Sequence, residues 1–460
     1  MKEISLKSIY LNKQAMWGIA CIISFFIMSR LCIIYFAALQ GSDLVMYTQF
    51  ANFEYLNELK KSGFDDSQIP INIYQKLQRA HQIITHSYPV LCQQWIKLIG
   101  LLKIKYLERS PIIVYRSIAC VADVSILIAI LMIVWKKVAP RNIKALGQTA
   151  ITYTLFGVIL APVLYDRVDI FLIALVVIAT VLLLQNKPWM AGWIFGIAVL
   201  FKLVPIILWP LFLLMLAKWH TPKTQIIKMA CAQSALLGLF LCLISALSYW
   251  HYGLEAFSFV TFHSQRGIQI ESTWSTLLWV LQKCGHTVNV VIAYGCAQSQ
   301  SALSPVLSTL SSYLIGIILS VYYAFRLKIK IMCKSQDKDL INMQEKDNKS
   351  LVFFTSVTLI LAIAMACSKV LSTQYFIWLI PFLAIILPRL SKIHYGLWTC
   401  ILVLTTAIFP FYYFSDIAAS SAGPSPFGLS LLIVRNSLLV AATVALFVHN
   451  MKQLKRESNK

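Results

Sequence analysis

Charge is scarce in this 460-residue chain. Asp, Glu, Lys and Arg together make up 13% of it, about half of what a soluble domain carries. Acids are scarcer still, 18 against 40 Lys and Arg, which leaves a formal net charge of +22. No polar stretch is long enough to hold a second core, so the length does not translate into a string of soluble domains. The eleven Cys show neither a CxxC pair nor a Cys/His zinc spacing, and most sit inside apolar runs as small buried side chains. Cys284 and Cys296 share one segment, where a disulfide is the alternative. No Gly-rich phosphate loop follows a strand, no DxD motif sits in a nucleotide-binding domain, and no internal repeat is visible. What is abundant is apolar, 59% hydrophobic residues with a mean hydropathy of +0.73. The basic residues punctuate apolar runs rather than cluster on a soluble domain, which argues against nucleic acid as a partner. An all-α, polytopic membrane bundle is the fold class these numbers imply.

About 20 apolar residues cross a bilayer core, and twelve runs qualify within a margin of two. They fall near 15–40, 111–135, 146–165, 168–185, 188–201, 203–217, 229–250, 302–325, 350–368, 374–388, 395–414 and 427–448. The fifth and sixth are short and meet at a break around Lys202 and Pro205. The first is too long for a cleaved signal peptide, contains Arg30 and lacks a small-residue cleavage site. The amino terminus, 136–144, 187, 218–228, 326–349, 389–392 and 452–460 hold 24 of the 40 basic residues. A twelve-span path puts all of these on one side, so both termini are expected in the cytoplasm. Residues 41–110 form the first outer loop, with stretches that read as amphipathic helices on the interface. Residues 251–301 form a second, and 326–349 a solvated cytoplasmic loop.

A charge in the middle of a span costs about 2.5–3.5 kcal/mol on insertion scales and therefore needs a partner or a wet cavity. Arg30, Arg116, Asp123 and Arg435 are such residues. Arg116 and Asp123, seven apart on one face, are expected to pair as a structural tie. More ionisable groups gather at outer span ends: Asp43 in GSDLVMY, Asp166, Arg167 and Asp169 in LYDRVD, His263, Arg266 and Glu271 in FHSQRGIQIES, and Lys369, Gln374 and Tyr375 in CSKVLSTQY. Each has a bland alternative: an interfacial histidine at 263, a helix cap at Glu271, headgroup-level anchors at Gln374 and Tyr375. Four such turns on so uncharged a chain point instead to one outward-facing polar cavity.

At these residues the chain resembles the membrane-embedded GT-C glycosyltransferases that use polyprenyl-phosphate sugars as donors. The likeness is strongest to bacterial polyprenol-phosphate-mannose-dependent α-mannosyltransferases, with arabinofuranosyltransferases and GPI mannosyltransferases further off. It is carried by the order of GSDLVMY, SYPVL, YDRVD, AGWIFGIAVLFKLVPIILWPLFLL, RGIQIES, KVLSTQYFIWLIP and VRNSLL along most of the chain. Tyr88-Pro89-Val90 stands where relatives often carry a double Pro, and Thr373 where they carry Pro, which bears on loop geometry and acceptor preference.

The resemblance implies a single GT-C-like membrane domain that transfers a sugar, mannose before others, to a lipid or glycan acceptor on the outer face. Asp43 takes the place of the general base in an inverting displacement. Arg266, Lys369, Arg435 and Lys202 are the candidates for holding the donor phosphate, with His263 binding phosphate or relaying a proton. Lys202 could equally snorkel to the interface. Asp166, Asp169, Glu271, Gln374 and Tyr375 are candidates for the sugar or acceptor pocket. Asp166 and Asp169 could instead hold a divalent cation, although no metal or other cofactor is the favoured reading. The competing class is a secondary transporter or lipid flippase, which would place its charged, broken helices at the midplane within paired repeats.

Overall fold

The computed structural model describes residues 6–37, 43–61, 69–106, 111–216, 223–332 and 343–458. Lys2, Gly41, Ser42, Lys218, Cys333, Lys334, Lys338 and Lys460, used in the sequence reading, lie outside them. The chain is an all-α, polytopic integral membrane protein. Among the described residues seven helices are long and apolar enough to cross a membrane, and four shorter apolar helices accompany them.

Helix α1 (Leu6–Phe36) is followed by three helices of the first loop: α2 (Leu44–Lys61), α3 (Ile71–Ser87) and α4 (Val90–Tyr106). These three are tied by polar contacts at their margins. Glu54 of α2 receives His81 Nε2 of α3 at 2.8 Å and Lys97 of α4 at 3.3 Å, and His81 stacks on Phe50.

Helix α5 (Pro111–Ile133) runs on as a π turn to Val138, where Lys136 and Lys137 stand. Asn142 caps α6 (Ile143–Ile159) by accepting the Ala145 N–H at 3.0 Å. The four-residue α7 (Ala161–Leu164) and a turn lead to α8 (Asp169–Leu184), which is apolar all round and buried on most sides. Helix α9 (Pro188–Phe201) opens on a proline at a position whose N–H needs no partner. It ends at Lys202, in extended backbone, because Pro205 cannot continue it; a 3-10 turn at Val204–Leu208 then joins α10 (Trp209–Leu216). The break read from the sequence is therefore present.

Helix α11 (Lys223–Tyr252) leads through a 3-10 turn into α12 (Ser258–Gln265), a loop, and α13 (Thr273–Gln282). Ser272, not Glu271, caps α13, its hydroxyl accepting the Ser275 N–H at 3.1 Å. An antiparallel hairpin, β1 (Asn289–Ala293) and β2 (Cys296–Gln300), is an element the sequence reading lacks. Its turn, Tyr294 and Gly295, has both residues at positive φ, as a two-residue hairpin turn requires. Cys284 and Cys296 are free thiols.

Helix α14 (Ser304–Met332) and α15 (Met343–Cys367) extend well into the 326–349 stretch read as a loop. Their basic residues are compatible with helix, and nothing in that stretch breaks one. A 3-10 turn (Thr373–Trp378), α16 (Ile380–Ile386), α17 (Lys392–Thr406) and α18 (Pro426–Ser458) complete the chain. The apolar window of α15 is 83% buried, whereas those of α11 and α14 are 11% buried. Helix α15 is thus central, and α11 and α14 turn Leu239, Trp250, Tyr313 and Val321 outward.

The buried charges pair differently from the expectation. Arg116 does not meet Asp123: its Nε and Nη2 hold Asp166 at 2.7 and 2.9 Å, while Asp123 is held by Arg30 Nε at 2.7 Å. Tyr153 and Tyr165 also donate to Asp123, at 2.5 and 2.8 Å. Two helical turns separate Arg116 from Asp123, about 10 Å along the axis. Each therefore faces a different neighbour.

Candidate active site

The turn between α7 and α8 is where the polar contacts converge. Its residues Tyr165, Asp166, Arg167 and Asp169 each reach a different element. Tyr165 bonds Asp123 and Asp166 bonds Arg116, both on α5. Arg167 Nη1 forms an ion pair with Asp43 Oδ2 at the head of α2, and Asp169 meets Lys202 at the break after α9. Val168 faces the core.

Asp43 is held on one oxygen. Both contacts fall on Oδ2, from Arg167 and, at 3.4 Å, from the Tyr47 hydroxyl, which is itself 3.1 Å from the Tyr88 hydroxyl. Among the described residues the hydrogen bond and the ion pair of this carboxylate lie on Oδ2, and the side chain keeps 20% exposure. A carboxylate oriented through one oxygen and open at the other is suited to accept a proton. The sequence reading groups Arg167 with the two acids of YDRVD at an outer turn but gives a role only to the acids.

Asp169 is fully buried. It accepts Lys202 Nζ at 2.8 Å and Trp378 Nε1 at 2.6 Å, both on Oδ1, and Oδ2 has no hydrogen-bond partner among the described residues. Lys202 lies 5.4 and 5.2 Å from the centroids of Tyr375 and Trp378, which stack on each other at 4.5 Å. Lys202 is thus turned inward and does not snorkel. Asp166 and Asp169, the two acids that a divalent cation could share, are each paired with a different cation, Arg116 and Lys202.

The loop before α13 forms the other wall. Gln269 N–H donates to Lys369 O at 2.9 Å and Ile270 N–H to Ala297 O at 3.0 Å, clamping the loop between the α15 exit and β2. The Glu271 carboxylate receives Thr373 Oγ1 at 3.3 Å and lies 4.0 Å from Arg435 Nη2, which also donates to the Glu271 carbonyl at 2.7 Å. Asn436 donates to the same carbonyl at 3.2 Å. Burial pushes the Glu271 carboxyl up to about 7, against the opposing pull of Arg435 and Thr373. Among the described residues the fully buried Arg435 finds no partner for Nε and Nη1, and Gln269 Oε1, Thr273 Oγ1, Gln374 Oε1 and Asn436 Oδ1 find none either. Buried polar atoms are nearly always paired, so six orphans around one loop mark a place built for a polar guest.

Arg266 and Lys369 are the next cations. Arg266 Nε donates to Cys296 Sγ at 3.3 Å, and Lys369 Nζ to Ser264 O at 3.0 Å. Burial and the nearby Arg266 push the Lys369 ammonium below its ordinary value, as expected of cations gathered without an anion. His263 Nε2 stands 3.0 Å from Ser87 O and must donate to it, so this nitrogen is committed to the backbone. The walls interact electrostatically: Glu271 feels Arg167 and Arg266, and His263 feels Arg266, Lys202 and Lys369. The structure thus gathers Asp43, Asp169, Lys202, His263, Arg266, Glu271, Lys369, Tyr375 and Arg435 at one end of the bundle. Asp166 sits behind them, closed off by Arg116.

From Thr273, in the orphaned shell, an apolar cavity of about 560 Å³ runs between α13, α14, α15 and α18. Trp274, Ile318, Ile363, Cys367 and Val444 line it, and the Trp274 indole donates to Cys367 O at 2.6 Å at its rim.

The sequence model of glycosyltransferase family 87 matches residues 99–329, half of the chain. The match takes in the 165–169 turn, Lys202 and the 263–271 loop; Asp43, Lys369 and Arg435 fall outside it. No curated protein and no solved structure matches the chain.

Proposed function

We propose that this chain, which belongs to glycosyltransferase family 87, moves a sugar, mannose before others, from a polyprenyl-phosphate donor to a hydroxyl of a lipid or glycan acceptor. The observation that carries this reading is Thr273, which belongs both to a polar shell with six unpartnered buried atoms among the described residues and to the lining of an apolar cavity among membrane helices. A donor with a charged sugar-phosphate head and an isoprenoid tail matches both halves. The basic ends of the helices lie opposite the site, so the site faces away from the cytoplasm.

In this reading the acceptor oxygen attacks the anomeric carbon while the bond from that carbon to the phosphate oxygen breaks. The electron pair leaves on the phosphate, the configuration inverts, and the hydroxyl proton passes to Asp43 Oδ1. Arg435, through its unpartnered Nε and Nη1, and Arg266 and Lys369 stabilise the charge gathering on the leaving phosphate in a site poor in water. Lys202 adds to that field from its aromatic cage, and His263 binds phosphate through its other ring nitrogen or relays a proton. Asp169 Oδ2, Gln374 and Glu271 offer hydrogen bonds to sugar hydroxyls, with Tyr375 as an aromatic wall. Asp166 serves the site through Arg116 rather than by contact. No metal or other cofactor enters.

Purified protein incubated with a panel of polyprenyl-phosphate sugars and acceptor lipids should release polyprenyl phosphate with matched glycosylation of one acceptor. Asp43→Asn should lower that rate about a hundred- to ten-thousand-fold with insertion intact. Full activity in Asp43→Asn would remove Asp43 as the base, and no turnover with any polyprenyl-phosphate sugar would overturn the donor class.

A further inference from the structure

Arg116 is 2% exposed and commits every guanidinium nitrogen. Nε and Nη2 grip both Asp166 oxygens, at 2.7 and 2.9 Å. Nη1 faces the carbonyls of Ile33, Ile34 and Ala37 at 3.4, 3.3 and 3.1 Å. Those carbonyls belong to the end of α1, where the helix leaves its last acceptors unsatisfied and carries partial negative charge. One attachment leads directly to Asp43: Asp166 is joined to Arg167, the residue that pairs with Asp43 Oδ2.

We propose that Arg116 is a positioning residue that fixes Asp43 through the 165–169 turn, by holding Asp166 next to the Arg167 that pairs with Asp43. Its fork sets where the 165–169 turn presents Arg167, and its third arm ties the same group to the end of α1. The Arg116–Asp166 pair neutralises itself, so it adds little field at Asp43; its effect is geometric. Lysine keeps the charge but has no fork for two carboxylate oxygens and no third arm for the helix end. The proposal rests on the reading of Asp43 as the base.

The test uses the full chain in detergent. Arg116→Lys and Asp166→Asn are each compared with the parent for sugar transfer, for binding of farnesyl phosphate, and for hydrogen exchange over residues 43–61. Misplacing a reacting group by about 1 Å costs about a hundredfold, so each variant should lose about ten- to a hundredfold in kcat. KM for the donor should stay within about twofold, since no group that touches it has changed. Farnesyl phosphate should bind as in the parent, and residues 43–61 should exchange faster. In an Asp43→Asn background the same substitutions should cause no further loss of the residual rate, because they act through Asp43. An unchanged kcat, an additive loss in the Asp43→Asn background, or loss of farnesyl phosphate binding together with kcat would each overturn the proposal. If Asp43→Asn itself keeps full activity, the base assignment fails separately. Exchange over 43–61 then decides the clamp alone, and unchanged protection in Arg116→Lys removes it.

Discussion

At the scale of single residues, the chemistry turns on which atoms are occupied. Asp43 has one oxygen held and one open, and Arg435 has one guanidinium nitrogen bonded and two bare. Glu271 is the residue whose charge responds to ordinary pH. Its folded value of about 7 lies above the 4.5 of an exposed glutamate because burial disfavours the carboxylate. Between those two values the folded protein keeps a proton that the unfolded chain has lost. This contribution to stability is therefore full below the lower value and falls as pH rises through the higher one. The melting temperature in detergent should decline from about pH 5 to about pH 8, and Glu271→Gln should flatten the decline. An equal slope in Glu271→Gln would show that the pH dependence originates elsewhere. The sequence points to Glu271 and Asp43 through their places at span ends. It does not distinguish Asp166 from Asp169, because a turn sends successive side chains in different directions and residue type does not record which.

At the scale of elements, charge and small size act together. The Arg30 guanidinium, bonded to Asp123 on α5 and to Thr154 O on α6, lies against Gly157 of α6; a Cβ there would stand 2.8 Å from its Cζ. That glycine lets α1 and α6 close over a buried ion pair. Gly157→Ala should overpack the site and cost about 1–3 kcal/mol, seen as a lower melting temperature. Parent stability in that variant would mean that α1 can yield without loss. The break at Lys202 was legible from Pro205, since proline acts on its own backbone. The pairing of Arg116 was not, because a guanidinium two turns from one acid and close to another on a distant turn is indistinguishable in one dimension. The β1–β2 hairpin was hidden for a related reason: its strands are short, and the Tyr294-Gly295 turn is a weak signal on its own.

At the scale of the molecule, the helices sort their ends. Asp43, the 165–169 turn, Lys202, the 266–272 loop, Lys369 and Arg435 lie at one end, and Lys136, Lys187, Arg326, Arg389 and Lys452 at the other ends of the same helices. With the basic ends in the cytoplasm, the exposed Cys284, just past α13 on the site side, should react with a membrane-impermeant maleimide added to intact cells. Labelling that requires permeabilised membranes would invert the orientation. The sequence by itself determined the membrane class, the helical runs, the break and the set of ionisable span ends. These depend on composition and period, which are local properties. The tertiary structure decided that Arg167 rather than a lone environment holds Asp43, that Asp166 answers to Arg116, and that Thr273 brings the Glu271 shell next to an apolar cavity. Those facts depend on which distant segments meet, and a buried charge takes whichever partner the packing brings within about 3 Å.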